Sequence, residues 1–335
     1  MAKFLTKRIA SLIFVIIGIT FIVFIATHCL PADPARAAAG PAASAEQVEQ
    51  KRTELGLDKP VYEQYLDYMK GLLKLDMGKS YKSKQPVMTE ISGRFAATME
   101  LTFLSLIIFF VLALLLGSMA ALKRNSWLDQ VIRFFSVGSM AVPPYWLALV
   151  LQYILYYKCQ LFPAGYRLPA GTAPPDAVTG FYLADSLLMG DVSLFLLSAR
   201  HLFLPVLSLV LGYCGITTRM MRTQLLQELR QDYVRTARSK GIPEHVVVGR
   251  HAMKNAISPV LTMLGMQAGG MIGGTVLIEK IFSWPGLGSY ALEAILSMDL
   301  LVIAGITTVM AVIFILINLA VDISYVLIDS RVRLS

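Results

Sequence analysis

The sequence predicts an all-α polytopic membrane protein with six transmembrane helices. Of its 335 residues, 56% are hydrophobic and 16% are charged, whereas a soluble domain carries about a quarter charged residues. The mean hydropathy is +0.62. Six segments reach the roughly 20 residues that a helix needs to cross a bilayer. They contain no Asp, Glu, Lys or Arg and cover residues 9–28, 101–122, 134–157, 201–218, 256–278 and 300–321.

The first apolar segment follows Lys3, Lys7 and Arg8, as the core of a secretory signal peptide would. Small residues that would suit cleavage lie at 37–39. The apolar run is longer than a usual signal-peptide core, however, and five more segments follow it. We therefore interpret residues 1–28 as an uncleaved transmembrane anchor.

Residues 29–96 predict a separate external helical domain inserted after the first span. Ser44 and Gln47 have the spacing of a capping box, which predicts a helix over 45–55. Pro60 predicts the start of a second helix, whose apolar residues recur every three or four positions. We expect this apolar face to pack against the membrane helices. Contact with an external protein that delivers a ligand is the alternative.

The distribution of Lys and Arg predicts the orientation, because cytoplasmic loops retain positive charge. Eight of the thirty Lys and Arg residues lie in 219–254, and the turn 123–133 and the N-terminus carry three each. The short loops on the opposite side carry three, between 158 and 200, and one, Lys280. Ten more lie in 29–96, but that segment is long enough to escape the rule, and nine acidic residues balance them there. Both termini and the loop 219–255 are therefore expected in the cytoplasm. The net charge of +8 follows from this topology and does not indicate nucleic-acid binding.

Residues 182–198 form another apolar stretch, but Asp185 and Asp191 interrupt it. A seventh span here would place the C-terminal tail on the wrong side of the membrane. We therefore predict an external interfacial helix.

The basic loop 219–255 has the pattern of a docking element. Gly241 predicts the end of one helix and Pro243 the start of the next. Small residues at Thr236, Ala237 and Gly241 are expected on one stripe where a partner seats closely. Anchoring of the loop by lipid phosphates is the alternative.

At these residues the sequence resembles the permease subunits of ATP-binding-cassette (ABC) importers in the dipeptide, oligopeptide and nickel family. The resemblance is carried by residues 232–241 and 251–256, with further matches at 55–60, 281–288 and 331–333. It implies a type I, MetI-like permease domain over 97–330. It also implies a coupling helix that fits a cleft on a cytosolic ATPase, formed by Arg235, Thr236, Ala237, Arg238, Gly241, Ile242, Pro243, Glu244 and His245.

The resemblance further implies the partners and the cellular location. We expect a second homologous permease, two ABC ATPase subunits on the cytoplasmic side and an extracytoplasmic substrate-binding protein, all at the bacterial inner membrane. ATP and Mg²⁺ would be bound by the ATPase subunits, so this chain is expected to hold no cofactor and to catalyse no reaction.

The fifth apolar segment predicts part of the translocation path. It contains five glycines, at Gly265, Gly269, Gly270, Gly273 and Gly274. Pairs spaced four apart form a groove for close helix approach, and the weak helix propensity suits a helix that shifts. Static packing is the alternative. Gln267 is the polar member of this stretch and a candidate pore-facing group, although solvation by a neighbouring helix explains it equally well.

Two further features belong to the predicted path and gate. Pro143 and Pro144 interrupt the third segment, and such prolines often border a cavity, although a kink without function is the alternative. Phe282 and Trp284 follow the fifth segment. An aromatic belt at the membrane interface explains Trp284, and the resemblance implies that this region caps the outer mouth of the pore.

Other chemistries are disfavoured. Gly78-Lys79-Ser80 lacks the preceding Gly of a phosphate-binding loop, since that position is Leu73. The four His residues are scattered and predict no metal site. Cys29 and Cys159 both lie at predicted outer ends of spans, where a disulfide or two packed thiols are open interpretations.

The favoured function is a permease subunit that forms half of a pathway for di- or oligopeptides. A nickel chelate, glutathione or another small solute stays open as the substrate. A secondary transporter would need acids within the bilayer, and Glu100 and Asp322 lie only at span ends. An intramembrane enzyme would need a catalytic constellation that the spans lack.

Overall fold

The computed structural model describes residues 14–26, 33–40 and 42–328. Within these ranges every regular element is a helix, apart from an isolated bridge between Lys79 and Pro86. In chain order the helices are α1 (Phe14–Ala26), α2 (Pro34–Ala39), α3 (Ala45–Glu54), α4 (Val61–Leu73), α5 (Val87–Leu122), α6 (Trp127–Ala141), α7 (Pro144–Leu151), α8 (Tyr182–Leu188), α9 (Val192–Glu228), α10 (Asp232–Ser239), α11 (Glu244–Val246), α12 (Met253–Ile281), α13 (Leu287–Leu296) and α14 (Leu300–Ile328). Two π-helical turns, Gln152–Lys158 and Val247–Ala252, extend α7 and precede α12. The all-helical class is confirmed for the described residues.

The chain divides into two compact units. The first, called the N-terminal unit below, contains the described residues up to Thr98 together with Pro285–Ile315. The second contains Met99–Trp284 and the residues from Leu316 onward. The predicted external domain 29–96 therefore belongs to a unit that also includes α13 and the first part of α14.

Local signals in the N-terminal unit have the predicted effect. The Ser44–Gln47 capping box is formed in both directions and begins α3. Pro60 directly precedes α4, although its side chain makes no capping hydrogen bond. The ring of Tyr65 on α4 packs against Phe24 of α1 with 5.3 Å between the ring centroids. The N-terminal unit thus joins its surface helices to the first apolar helix.

The apolar face of α4 is only partly covered. Tyr68 makes a 3.0 Å hydrogen bond with Thr308 of α14, and Tyr65 contacts α1. Tyr62, Leu66 and Leu73 are exposed. The predicted packing therefore accounts for one side of the face, and contact with an external protein stays a prediction for the other.

Helix α9 lies at the centre of the second unit, where it contacts α6, α7, α8 and α12. Small residues allow this close approach. A Cβ atom on Gly212 would lie 2.6 Å from Cγ of Pro144, and one on Gly215 would collide with the backbone carbonyl of Ser136. The α6–α9 and α7–α9 interfaces are therefore backbone-close contacts that tolerate no added methyl group.

The third predicted span, 134–157, is divided between two helices. Helix α6 ends at Ala141 and α7 begins at Pro144, and the two axes are bent by 106°. Proline lacks the backbone N–H that would continue the helix and forces the preceding residue into an extended conformation. Val142 accordingly has φ −117° and ψ 125°. The predicted interruption is confirmed, and it produces a sharp corner.

The predicted interfacial helix 182–198 is also wrong in extent. Helix α8 ends at Leu188, and Gly190 adopts φ +73°. The carboxylate of Asp191 then accepts a hydrogen bond from the backbone N–H of Leu194 and caps a new helix. Residues 192–198 are thus the first turns of α9, which begins nine residues before the span predicted to start at His201.

Among the described residues, four helices are long and apolar enough to cross a membrane, or five if the bent pair α6–α7 is one span. They are Val87–Leu122, Val192–Glu228, Glu244–Ile281 and Leu300–Val321. The first predicted span is described only over Phe14–Ala26, so its ends, like Cys29 and the basic tail at 331–333, lie outside the described residues. The six-span count stays a prediction.

Candidate coupling and translocation site

The predicted coupling segment folds as helix, turn and helix. Helix α10 ends at Ser239, and Gly241 adopts φ +72°, a left-handed conformation that residues with a Cβ rarely occupy. Pro243 then occupies the N-cap position of α11. The predicted helix stop and restart are confirmed.

Helix α10 buries one face and exposes the other. Val234 and Ala237 are buried against Met221 and Leu225 of α9 and against residues of the second π-helical turn. Successive helical residues point about 100° apart, so Thr236 faces outward while Ala237 faces inward. The expected common stripe of Thr236, Ala237 and Gly241 is therefore wrong, because Ala237 packs within this chain and Gly241 lies beyond the helix end.

The outward surface of the segment is basic, and an ion pair spans its turn. Arg235, Lys240 and His245 are exposed. Arg238 donates from Nε to Glu244 at 3.0 Å and from a terminal nitrogen at 2.5 Å, which bridges the turn around Gly241. The hydrogen bond with Glu244 raises the pKa of Arg238 above its usual value. The segment therefore exposes positive charge on α10, on the turn and on α11.

Tyr233 connects the coupling segment to its two neighbouring helices. Its hydroxyl donates to the carboxylate of Glu228 at 2.5 Å and accepts a 3.0 Å hydrogen bond from the side-chain amide of Asn255. Burial, together with the bond to Glu228, raises the pKa of Tyr233 to about 12. The phenol therefore stays protonated at physiological pH and holds α10 against the end of α9 and the start of α12.

Three glycines of α12 pack closely against side chains of α9 and α14. The hydroxyl of Tyr213 on α9 donates to the carbonyl of Gly270 at 2.7 Å. A Cβ atom on Gly274 would lie 2.6 Å from that hydroxyl. Gly265 faces Asn318 of α14, with 3.2 Å from a built Cβ to the side-chain oxygen. The structure thus shows close packing at these three glycines.

The remaining candidate path residues of α12 differ in their surroundings. A Cβ atom on Gly273 would meet nothing within 4 Å. Gly269 and Gln267 are half-buried, and Nε2 of Gln267 has no hydrogen-bond partner among the described residues. Their role in a translocation path stays a prediction.

The aromatic residues after α12 are buried. Phe282 is fully buried and Trp284 is 1% exposed, so Trp284 is not an exposed belt residue in this chain. The backbone N–H of Tyr166 donates to the carbonyl of Phe282 at 2.8 Å. His201 donates from Nδ1 to the carbonyl of Gly165 at 2.8 Å. The first bond joins the loop at 163–167 to the turn that carries both aromatic residues, and the second joins the same loop to α9.

A buried ion pair lies beside this turn. Arg167 contacts Glu100 at 2.5 Å and donates to the carbonyl of Gly180 at 2.9 Å. Its guanidinium carbon lies 3.4 Å from the ring centroid of Tyr182 and 5.8 Å from that of Trp284. Because Glu100 is matched by an arginine, its carboxylate is not the free intramembrane acid that a secondary transporter would use.

The loop that leads into α8 is organised by Asp185. This carboxylate accepts hydrogen bonds from Oγ1 of Thr179 at 2.7 Å and from the backbone N–H groups of Thr179 and Gly180 at 2.8 Å each. Burial disfavours the charged form, but these hydrogen bonds outweigh burial and lower the pKa of Asp185 below its usual value. The Thr179–Gly180 turn therefore rests on an ionised, buried acid.

Comparisons with known proteins account for nearly the whole chain. Residues 113–334 match the family described as binding-protein-dependent transport system inner membrane component. Residues 1–102 match the N-terminal region of binding-protein-dependent transport system membrane components. The chain belongs to this family.

Individual relatives match over their full length. The probable D,D-dipeptide transport system permease protein of Escherichia coli strain K12 is 38% identical over 328 residues, which is 98% of this chain and 96% of the relative. The dipeptide transport system permease protein of Alkalihalophilus pseudofirmus is 39% identical over 334 residues, covering 99% and 100%. The glutathione transport system permease protein of Escherichia coli O6:H1 is 33% identical over 333 residues, covering 99% of both chains.

The family defines the general activity. The chain is an ABC importer permease and a multi-pass protein of the inner membrane. As a binding-protein-dependent component, it works with a substrate-binding protein and an ATPase. The relatives are transport permeases rather than enzymes.

Two ion pairs in this permease were missed by sequence reasoning. One is Glu100–Arg167, and the other joins Asp129 of α6 to Arg222 of α9. The partners are 67 and 93 residues apart, so no local spacing links them. Each residue looks like an ordinary charge near a span end. The available signal was the rarity of such charges next to long apolar runs.

Two cavities among the described residues lie away from the predicted path and coupling residues. One, of about 480 Å³, is lined by residues such as Arg52, Tyr68 and Tyr81. The other, of about 330 Å³, is lined by residues such as Arg94 and Asp299. Both lie in the N-terminal unit, and neither includes a predicted path residue. Cys159 is exposed and Cys214 is buried, and neither is bonded to another cysteine among the described residues. Cys29, which the sequence offered as a partner for Cys159, lies outside those residues.

Proposed function

We propose that this permease forms half of a translocation pathway for di- or oligopeptides. The similarity to two permeases whose names specify dipeptides, at 38% and 39% identity over nearly full length, supports this substrate class. Because the binding protein of such a system presents the solute, selectivity is shared with that partner.

The conformational change of the ATPase subunits reaches this chain through α10 and α11. The observation that supports this role is the exposed basic rim of Arg235, Lys240 and His245 on a turn that the Arg238–Glu244 pair bridges. A loop that only met lipid phosphates would need charge but no fixed helix–turn–helix shape. A cleft on a folded ATPase requires both.

The remaining partners follow from the size of the chain and from its family. A second, similar permease completes the pathway, and two ATPase subunits bind ATP and Mg²⁺ on the cytoplasmic side. The six spans have both termini in the cytoplasm. This chain contributes no catalytic residue, so transport is driven by the different affinity of the ATPases for ATP in the inward-open and outward-open states.

Glutathione is the second candidate substrate, because a glutathione permease matches this chain over 99% of both sequences. The two candidates are separated by uptake into proteoliposomes that contain the complete importer. We expect ATP-dependent accumulation of radiolabelled Ala-Ala that excess unlabelled D-Ala-D-Ala or tripeptide reduces. Uptake of glutathione with no uptake of Ala-Ala would transfer the assignment to glutathione.

A further inference from the structure

We infer that Asp129 and Arg222 are positioning residues that join the coupling segment to the corner between α6 and α7. The inference rests on the proposed function, in which the ATPase subunits act on this chain through α10 and α11. It adds the part of this chain through which motion of those helices reaches the broken span.

The pair has a two-point geometry. Arg222 donates from Nε to one carboxylate oxygen of Asp129 at 2.7 Å and from a terminal nitrogen to the other at 2.8 Å. The backbone N–H of Asn125 donates to the same carboxylate at 2.9 Å. The Asp129 side chain is 0% exposed. Arg133 approaches it at 3.5 Å but is half exposed, so Arg222 is the principal partner.

Simple cohesion between two helices does not require such a pair. A buried charge pair is costly to desolvate, and well-packed apolar side chains hold helices together at least as well. A planar guanidinium bound at two points adds something else, because it fixes the rotation and the register of one helix relative to the other. Asp129 and Arg222 therefore set how α6 sits on α9.

At one end, the pair adjoins the core beneath the coupling segment. Arg222 follows Met221 directly, and Met221 and Leu225 are fully buried in the cluster that receives Val234 and Ala237 of α10. A displacement of α10 must move this end of α9, since a close-packed core does not compress.

At the other end, the α6–α9 contact continues to the corner. The carbonyl of Ser136 lies against Gly215, and the hydroxyl of Ser139 donates to the carbonyl of Leu211. Pro144, the first residue of α7, then packs on Gly212. Ten residues of α9 separate Arg222 from Gly212, which is about 15 Å of helix. The ion pair, the serines and the proline thus form one continuous contact from the coupling segment to the 106° corner.

The test uses the complete importer in proteoliposomes and measures peptide uptake and ATP hydrolysis in the same preparation. Asp129→Asn keeps the shape of the side chain and removes its charge, and Arg222→Lys keeps the charge and removes the two-point bond. Arg133→Gln is the matched control, because it removes an exposed charge beside the same carboxylate. For both pair variants we expect the peptide taken up per ATP hydrolysed to fall by roughly tenfold, while binding-protein-stimulated hydrolysis persists. The control should keep the wild-type ratio.

The possible outcomes separate the inference from the proposed function. Uptake and hydrolysis that fall in equal proportion, or loss of assembly in both pair variants, would show a purely structural pair and overturn the inference. A wild-type ratio in Asp129→Asn would overturn it as well. Wild-type importer that shows neither ATP-dependent uptake nor stimulated hydrolysis would refute the proposed function, and the inference with it.

Discussion

At the residue scale, the guanidinium of Arg167 contacts several elements of the permease. It is bound by Glu100 of α5 and by the carbonyl of Gly180, and it lies over the ring of Tyr182. The exposed fraction of its side chain is only 9%. A charge buried to this extent is stable only with its partner in place.

Arg167→Gln should therefore destabilise the permease strongly. Glu100 would be left buried without its counter-ion, and breaking such a pair costs about 3–5 kcal/mol. We expect a clearly lower thermal unfolding temperature in detergent by intrinsic Trp fluorescence. Lys123→Gln, at an exposed position after α5, is the control and should leave the temperature unchanged. An unaltered transition in the Arg167 variant would show that the pair is not formed.

A second prediction at this scale concerns Gly241. Its φ of +72° costs a residue with a Cβ about 1–2 kcal/mol, and Asn tolerates this conformation better than β-branched residues do. Nothing lies within 4 Å of a Cβ at this position, so the effect is one of backbone strain rather than collision. Gly241→Val should lower ATP-driven uptake severalfold at unchanged abundance, and Gly241→Asn should retain most of it. Equal transport by both variants would contradict the left-handed turn.

Residues whose role is local were predictable, and residues paired across the chain were not. The Ser44–Gln47 box, the Gly241 stop and the Pro143–Pro144 break each depend on the backbone conformation of a few neighbours. Partner choice for Arg167 and Arg222 depends instead on how distant helices pack. A single sequence carries no record of that packing.

At the element scale, the sequence predicts an interruption in the third span but not its angle. Prolines determine where a helix must stop, whereas the direction of the next helix depends on the surface it meets. For α7 that surface is α9, where Gly212 accepts the ring of Pro144. The start of α9 could not be predicted from the sequence. An Asp within an apolar stretch has the pattern of a polar interruption, but in the structure Asp191 caps the N-terminus of α9.

The contact between α6 and α9 gives a test with an internal control. Gly215→Ala would press a methyl group against the Ser136 carbonyl, and backbone cannot move aside cheaply. Gly138→Ala places the same methyl group on α6 where nothing lies within 4 Å. We expect the first variant to lower unfolding temperature and uptake, and the second to match or slightly exceed wild type in stability. Similar behaviour of the two variants would contradict the backbone-close contact between α6 and α9.

At the scale of the whole molecule, the residues predicted for the path and gate differ in their surroundings. Gly273 faces open space and Gln267 keeps an unused amide nitrogen, whereas Phe282 and Trp284 are enclosed. The family and the helical class were predictable from motifs and composition. Which surfaces meet the partner proteins depends on chains that this sequence does not contain.

The proposed topology gives a prediction at this scale. In a background without the three native cysteines, the thiol of Lys240→Cys in the coupling turn should react with a membrane-impermeant maleimide only after the cells are opened. The thiol of Lys74→Cys, at an exposed position after α4, should react in spheroplasts that are intact. The reverse pattern would invert the orientation and remove α10 and α11 from the cytoplasm.

We propose that a separate ATPase drives solute through this permease by way of the coupling segment. The most direct measurement is peptide accumulation by proteoliposomes with internal ATP, external binding protein and a collapsed proton gradient, compared with proteoliposomes that lack the ATPase subunits. We predict accumulation against the concentration gradient in the complete system and none without the ATPase. Uphill transport by the permease without ATPase subunits, or transport abolished by collapse of the proton gradient alone, would contradict the claim.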